Sequence, residues 1–199
     1  PAAGRDRRGG HGYDPRFRRA SWSHMTQRIR NVFKGRVLTL NLEQVELPNG
    51  RVAELEIAHH PGGAAIVALD ANGRICLLHQ FRHASGGWLY ELPAGKLDGG
   101  EPPIECAVRE LAEEAGMKAG RWDKLGEFFS SPGVLTEVIH IFLARDLAPV
   151  DSSPEEHEVF QVTWVPLRIA TARATAGELR DGKSIVGLCW AQAALQAGT

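Results

Sequence analysis

The stretch from Gly95 to Met117 constrains this chain more than any other. Pro102 and Pro103 stand where the first turn of a helix tolerates proline, and Gly116 can close it, which predicts a helix of about thirteen residues over 103–115. Within it, Glu113 and Glu114 fall three and four positions after Glu110, so a helix carries all three on one face. Like charges at this spacing repel by a few tenths of a kcal/mol per pair, so the helix gains nothing from the arrangement unless cations neutralise it. Clustered hard oxygen ligands suit Mg²⁺, with Mn²⁺ as an alternative, and such ions are usually shared with substrate phosphate oxygens. Arg109 can pair with Glu113 at i, i+4, and Glu101 lies at the helix start, where the dipole favours negative charge. Taken alone, the acidic face also fits a solvated helix surface.

The rest of the chain supplies a scaffold for that helix. Its 199 residues suit one domain at roughly 100–200 residues per domain. From Arg36 the sequence alternates through Leu38, Leu40 and Leu42, turns at Pro48-Asn49-Gly50 and continues over Val52 to Ile57, a hairpin pattern. Ala64–Leu69, the turn Asp70-Ala71-Asn72-Gly73 and Ile75–Phe81 read as a second hairpin of buried strands. Further strands are predicted near 88–92, 125–129, 138–144 and 159–165, and helices near 167–176 and 184–196. Strands mixed with flanking helices indicate an α/β or α+β layered fold.

Net charge is −1, which gives no bulk attraction to nucleic acid. The balance is uneven, because residues 1–24 carry six Arg against Asp6 and Asp14. That Gly- and Arg-rich segment, ending in Ser23-His24 before Met25, is expected to be a disordered or appended extension, with a basic arm as the other possibility. No apolar run approaches the ~20 residues that span a bilayer, so neither a membrane nor a nucleic-acid partner is expected and the location is expected to be cytoplasmic. Cys76, Cys106 and Cys189 have no CxxC spacing and read as free thiols.

Residues 95–117 satisfy G-x5-E-x7-R-E-U-x-E-E-x-G-U at every fixed position, with Leu111 and Met117 at the bulky aliphatic sites. On this motif the chain resembles the Nudix hydrolase family. Gln80-Phe81-Arg82, Glu91-Leu92-Pro93-Ala94-Gly95 and Ser131-Pro132-Gly133 with Glu137 are similar to its ADP-ribose pyrophosphatase branch, as is Pro132 sixteen residues beyond Gly116. The resemblance implies an α/β/α sandwich with a mixed sheet over 61–199, preceded by an N-terminal antiparallel β-hairpin region over 25–60 that serves dimerisation. It implies hydrolysis of a nucleotide sugar, ADP-ribose foremost, to AMP and ribose 5-phosphate. GDP-mannose, a UDP-sugar, or nucleotide sensing without hydrolysis stay open.

Carried over by residue, the resemblance makes the Ala94 carbonyl, Glu110, Glu114 and Glu158 the Mg²⁺ ligands, with Glu113 and Arg109 assisting. It makes Glu156 the general base, Arg82 the phosphate contact, and Glu137 with Ser131, Pro132 and Gly133 the walls beside the terminal ribose. It also implies a homodimer whose subunits lend residues to each other's pockets. One position departs from the pattern: relatives often carry arginine where Leu55 precedes Glu56. Each outlying residue also has a plain structural reading, with Pro132-Gly133 as an ordinary turn and Arg82 as a surface charge.

Gly177-Glu-Leu-Arg-Asp-Gly-Lys183-Ser184 fits G-x4-G-K-S, but a helical pattern rather than a strand precedes it. It is expected to join two helices, with Gly182 ending one element and Ser184 near the start of the next.

Overall fold

The computed structural model describes residues 26–154 and 158–198. The 1–24 extension and Glu156 lie outside the described residues. Helix α1 (Pro103–Ala115) forms where its punctuation predicts. The Pro102 carbonyl accepts the N–H groups of Glu105 and Cys106. At the other end Gly116, at φ 62°, donates back to Ala112 and Leu111. This left-handed exit favours glycine because a side chain there would be strained. Cys106, Ala107 and Leu111 form the buried face, and Glu110 and Glu114 share it.

The strands among the described residues form three sheets. β1 (Thr26–Lys34), β2 (Thr39–Glu46) and β3 (Val52–His59) make an antiparallel sheet of their own. A mixed sheet runs in the order β7 (Ala94–Lys96), β4 (Gly63–Ala68), β9 (Val138–Pro149), β8 (Met117–Phe129), with β4 and β9 parallel. The third sheet is antiparallel, in the order β10 (Phe160–Pro166), β5 (Arg74–Arg82), β6 (Gly87–Glu91). Helices α2 (Leu167–Thr175) and α3 (Gly182–Gln196) complete the chain.

Period-two alternation distributes the core on both sides of the central strands. Ala64, Ile66 and Ala68 of β4 join Phe142 and Ala144 of β9 against Cys106, Ala107 and Leu111 of α1. Ala65 and Val67 join Ile139, Ile141 and Leu143 against Leu167 and Ala170 of α2 and Leu188 and Ala191 of α3. This is the helix, sheet, helix sandwich that the resemblance implies. Buried on both faces, β4 carries an unbroken apolar run.

Three expectations change. Strands β4 and β5 do not form a hairpin: they meet only at a Leu69–Ile75 bridge and enter different sheets. Both edges of β4 are already taken, by β7 and β9, so β5 turns away at Asp70–Gly73 to pair with β6 and β10. Strand β1 is an addition, and its almost wholly exposed residues lack the alternation that marks β2. Gly182 begins α3 instead of ending an element, and Asp181 caps that helix by accepting the Ser184 N–H. No helix among the described residues is long and apolar enough to cross a membrane.

Candidate active site

The short β7 and helix α1 meet at the wall of a cavity of about 790 Å³, through Ala94, Gly95 and Lys96 on one and Arg109 and Glu110 on the other. Ala94 N–H donates to Glu114 Oε2 at 2.8 Å, which ties β7 to the helix. Gly95 follows, and a Cβ built there would lie 1.6 Å from Glu110 Oε1, so only glycine allows this carboxylate its position. Arg109 holds the flank. Its guanidinium reaches Glu101 at 2.9 Å, Glu110 at 2.6 Å, Glu113 at 3.1 Å and the Lys96 carbonyl at 3.3 Å. The supporting pairs anticipated for Arg109, Glu113 and Glu101 are thus present.

Electrostatics single out two of the carboxylates. Burial pushes Glu114 up to about 8, and the charges of Glu110 and Glu158 push the same way. Burial likewise raises Glu110 to about 7, against the pull of Arg109. Oε1 of Glu114 is buried and has no hydrogen-bond partner among the described residues. An orphaned buried carboxylate oxygen beside two further acidic groups is the donor set that a hard divalent cation satisfies. The residues therefore fit such an ion. Among the described residues no three acidic, histidine or cysteine side chains already stand in a metal-holding geometry; Arg109 occupies Glu110 instead. The buried thiols of Cys76 and Cys106 are pushed up to about 12 by burial, which keeps them protonated and unsuited to nucleophilic work.

Of the predicted site residues, Ala94, Glu110, Glu158, Arg109, Arg82 and Glu137 line the cavity. Glu114 lies behind that wall, 2% exposed. Arg82 pairs with Glu91 through Nε at 2.9 Å and Nη2 at 3.1 Å. Glu137 lies 3.2 Å from His60 Nδ1. Ser131, Pro132 and Gly133 form an exposed turn that does not line the cavity, where Ser130 does. Sequence reasoning missed Arg36, Val37 and His60, and it set Lys183 aside with a chance motif; all four line the cavity. Only the Lys183 motif gave any signal, and its meaning depends on a partner distant in sequence.

Two measurements test this geometry. Gly95→Ala is expected to displace the Glu110 carboxylate and lower activity by about 100-fold or more, with far-ultraviolet circular dichroism unchanged; activity within about twofold of wild type contradicts the cradle. In metal-free buffer the folded state keeps protons on Glu110 and Glu114 that the unfolded chain releases near the ordinary carboxylate pKa. Their contribution to stability is therefore full below about pH 4 and is lost as pH rises through 7 and 8. Because Glu114→Gln removes one of the two groups, the wild-type protein should lose up to about 1.4 kcal/mol of stability per pH unit more than the variant between about pH 5 and 8. Denaturant midpoints from pH 5 to 8 check this, and parallel slopes for the two proteins would contradict it.

Comparison with known proteins agrees with this architecture. Residues 59–185 match the NUDIX domain. The chain is 39% identical over 170 residues to the ADP-ribose pyrophosphatase of Bacillus subtilis (strain 168), covering 83% of this chain and 92% of that one. It is 39% identical over 157 residues to the ADP-ribose pyrophosphatase of Mycobacterium tuberculosis (strain ATCC 25618 / H37Rv), covering 77% and 76%. A solved ADP compounds hydrolase superposes with a TM-score of 0.75 over 87% of this chain and 94% of that one; at 20% identity this likeness bears on the fold. With the box helix, the sandwich and this match in agreement, the chain belongs to the Nudix hydrolase family.

Proposed function

We propose that this enzyme hydrolyses the pyrophosphate bond of ADP-ribose, giving AMP and ribose 5-phosphate, with Mg²⁺ as cofactor and Mn²⁺ as a substitute. The observation that carries the reading is the pair Glu110 and Glu114, buried against Ala94 and Gly95 at the cavity wall and both pushed up by burial. The two ADP-ribose pyrophosphatases at 39% identity support the choice of substrate.

In this reading the Ala94 carbonyl, Glu110, Glu114 and Glu158 would hold the metal, and Glu113 would assist. When bound, divalent cations offset the negative charge of the pyrophosphate and lower the pKa of the attacking water. Arg109, tied to Glu101 and Glu113, keeps Glu110 at the wall. Water adds its oxygen to one phosphorus, the bridging oxygen leaves with the other phosphate, and a carboxylate oxygen of Glu156 takes the proton of the water. Arg82 neutralises a phosphate oxygen, for which a guanidinium fork is well shaped. Glu137, on the cavity wall, bounds the terminal ribose, and the exposed Ser131-Pro132-Gly133 turn anticipated beside it stands outside the lining. The unit spanning 61–199 carries this chemistry, and the β1–β3 region mediates a homodimer through exposed apolar residues such as Ile29, Val32 and Phe33. The free thiols of Cys76, Cys106 and Cys189 are in keeping with the reducing cytoplasm.

Initial rates with Mg²⁺ on ADP-ribose, GDP-mannose, UDP-glucose and ATP test the reading. ADP-ribose should be preferred by about tenfold or more in kcat/KM, and Glu114→Gln should lose about 1,000-fold or more. A preference for another nucleotide sugar would overturn the substrate, and tight binding without turnover of any compound would overturn the activity.

A further inference from the structure

Lys183, part of a motif that looks like a phosphate-binding loop without its strand, lines the cavity beside Arg82. Its Nζ donates to Glu91 Oε2 at 2.5 Å and to Asp181 Oδ1 at 3.0 Å. On its other oxygen, and again on Oε2, Glu91 accepts the two bonds from Arg82. A single carboxylate, 2% exposed, therefore sits between two cations. Such a buried charge is tolerated only while its partners stay in place.

The two cations differ in what they can still do. The Arg82 side chain is 41% exposed and that of Lys183 only 16%, with its ammonium already shared between two carboxylates. Arg82 presents more of its side chain to a ligand, and Lys183 is the more deeply buried of the two. The surrounding frame is tight. Asp181 caps α3 on the Ser184 N–H at 3.0 Å, and Ser184 Oγ accepts the Leu92 N–H at 2.7 Å, one residue beyond Glu91. A Cβ on Gly187 would lie 2.7 Å from Leu92 Cδ1, so the helix packs directly on this step.

We propose that Lys183 is a positioning residue, which acts through Glu91 to fix the Arg82 guanidinium at the cavity wall for a phosphate oxygen of the nucleoside diphosphate substrate. The proposal rests on the functional reading above, where Arg82 meets phosphate. By sharing the neutralisation of Glu91, Lys183 leaves Arg82 part of its charge for the ligand. Without it, the guanidinium is drawn wholly to the buried carboxylate.

A double-mutant cycle over Arg82→Ala and Lys183→Met tests the coupling. It is read as KM and kcat for ADP-ribose and, in parallel, as Kd for ADP in metal-free buffer. The binding arm needs no turnover and so separates failure of the coupling from failure of the assigned activity. Lys183→Met is expected to raise KM and Kd about tenfold with kcat changed by less than about threefold. Combined with Arg82→Ala, it should add less than about twofold to the loss caused by Arg82→Ala alone. Lys183→Arg, which keeps the charge, should return to within about threefold of wild type. Losses that multiply in the double variant, or a Lys183→Met protein that melts earlier with KM and Kd unchanged, would overturn the proposal. If Lys183→Met does not fold, Lys183→Gln carries the same cycle and the same criteria.

Discussion

Ala94 donates its backbone N–H to one oxygen of Glu114, and the other oxygen is buried without a hydrogen-bond partner among the described residues. A carboxylate in that position opposes folding whenever it is charged, because burial removes its hydration and Glu110 and Glu158 repel it. The fold accepts this penalty at a place where sequence and backbone geometry converge. The hydrogen bond anchors β7 to α1, β7 puts Gly95 under Glu110, and the missing Cβ leaves that second carboxylate its place. A site of this kind is poised to gain from a cation, since ion binding removes the repulsion and supplies the missing partner at once.

The segment from Glu91 to Gly95 is held from two sides. Toward α1 it is bonded through Ala94 and Glu114; toward α3 it is bonded through Leu92 and Ser184 and through Glu91 and Lys183. Because β4 carries α1 on one face and α3 on the other, a single short segment at its edge can be gripped by both layers. The acidic side of the cavity and its cationic side are thereby registered to one another. That registration sets the Arg82 guanidinium and the Glu110 carboxylate on the walls of one cavity.

Much of this was legible in the sequence where local rules decide the outcome. Prolines at the start and Gly116 at the end define α1 without reference to anything distant. The glutamate spacing puts Glu110 and Glu114 together on the helix because helical periodicity alone does so. What local pattern cannot supply is the partner. The apolar runs of β4 and β5 look like a hairpin, and only the occupied edges of β4 send β5 elsewhere. Lys183 reads in sequence only as part of a connection between two helices, because Glu91, the carboxylate that gives it meaning, lies 92 residues away. Nothing in Tyr90-Glu91-Leu92 announces that the middle residue is among the most buried in the chain. The same holds for Arg36 and His60, which reach the cavity from the N-terminal sheet and the strand connection after it.

In the proposed function this acidic pair, with the Ala94 carbonyl and Glu158, would hold divalent metal. Anomalous diffraction from crystals grown with Mn²⁺ addresses it most directly. Peaks are expected within roughly 2–2.5 Å of Ala94 O and of the Glu110, Glu114 and Glu158 carboxylates, with Glu110 drawn away from Arg109. Mn²⁺ peaks confined to other carboxylates, with Glu114 still lacking a ligand, would contradict it.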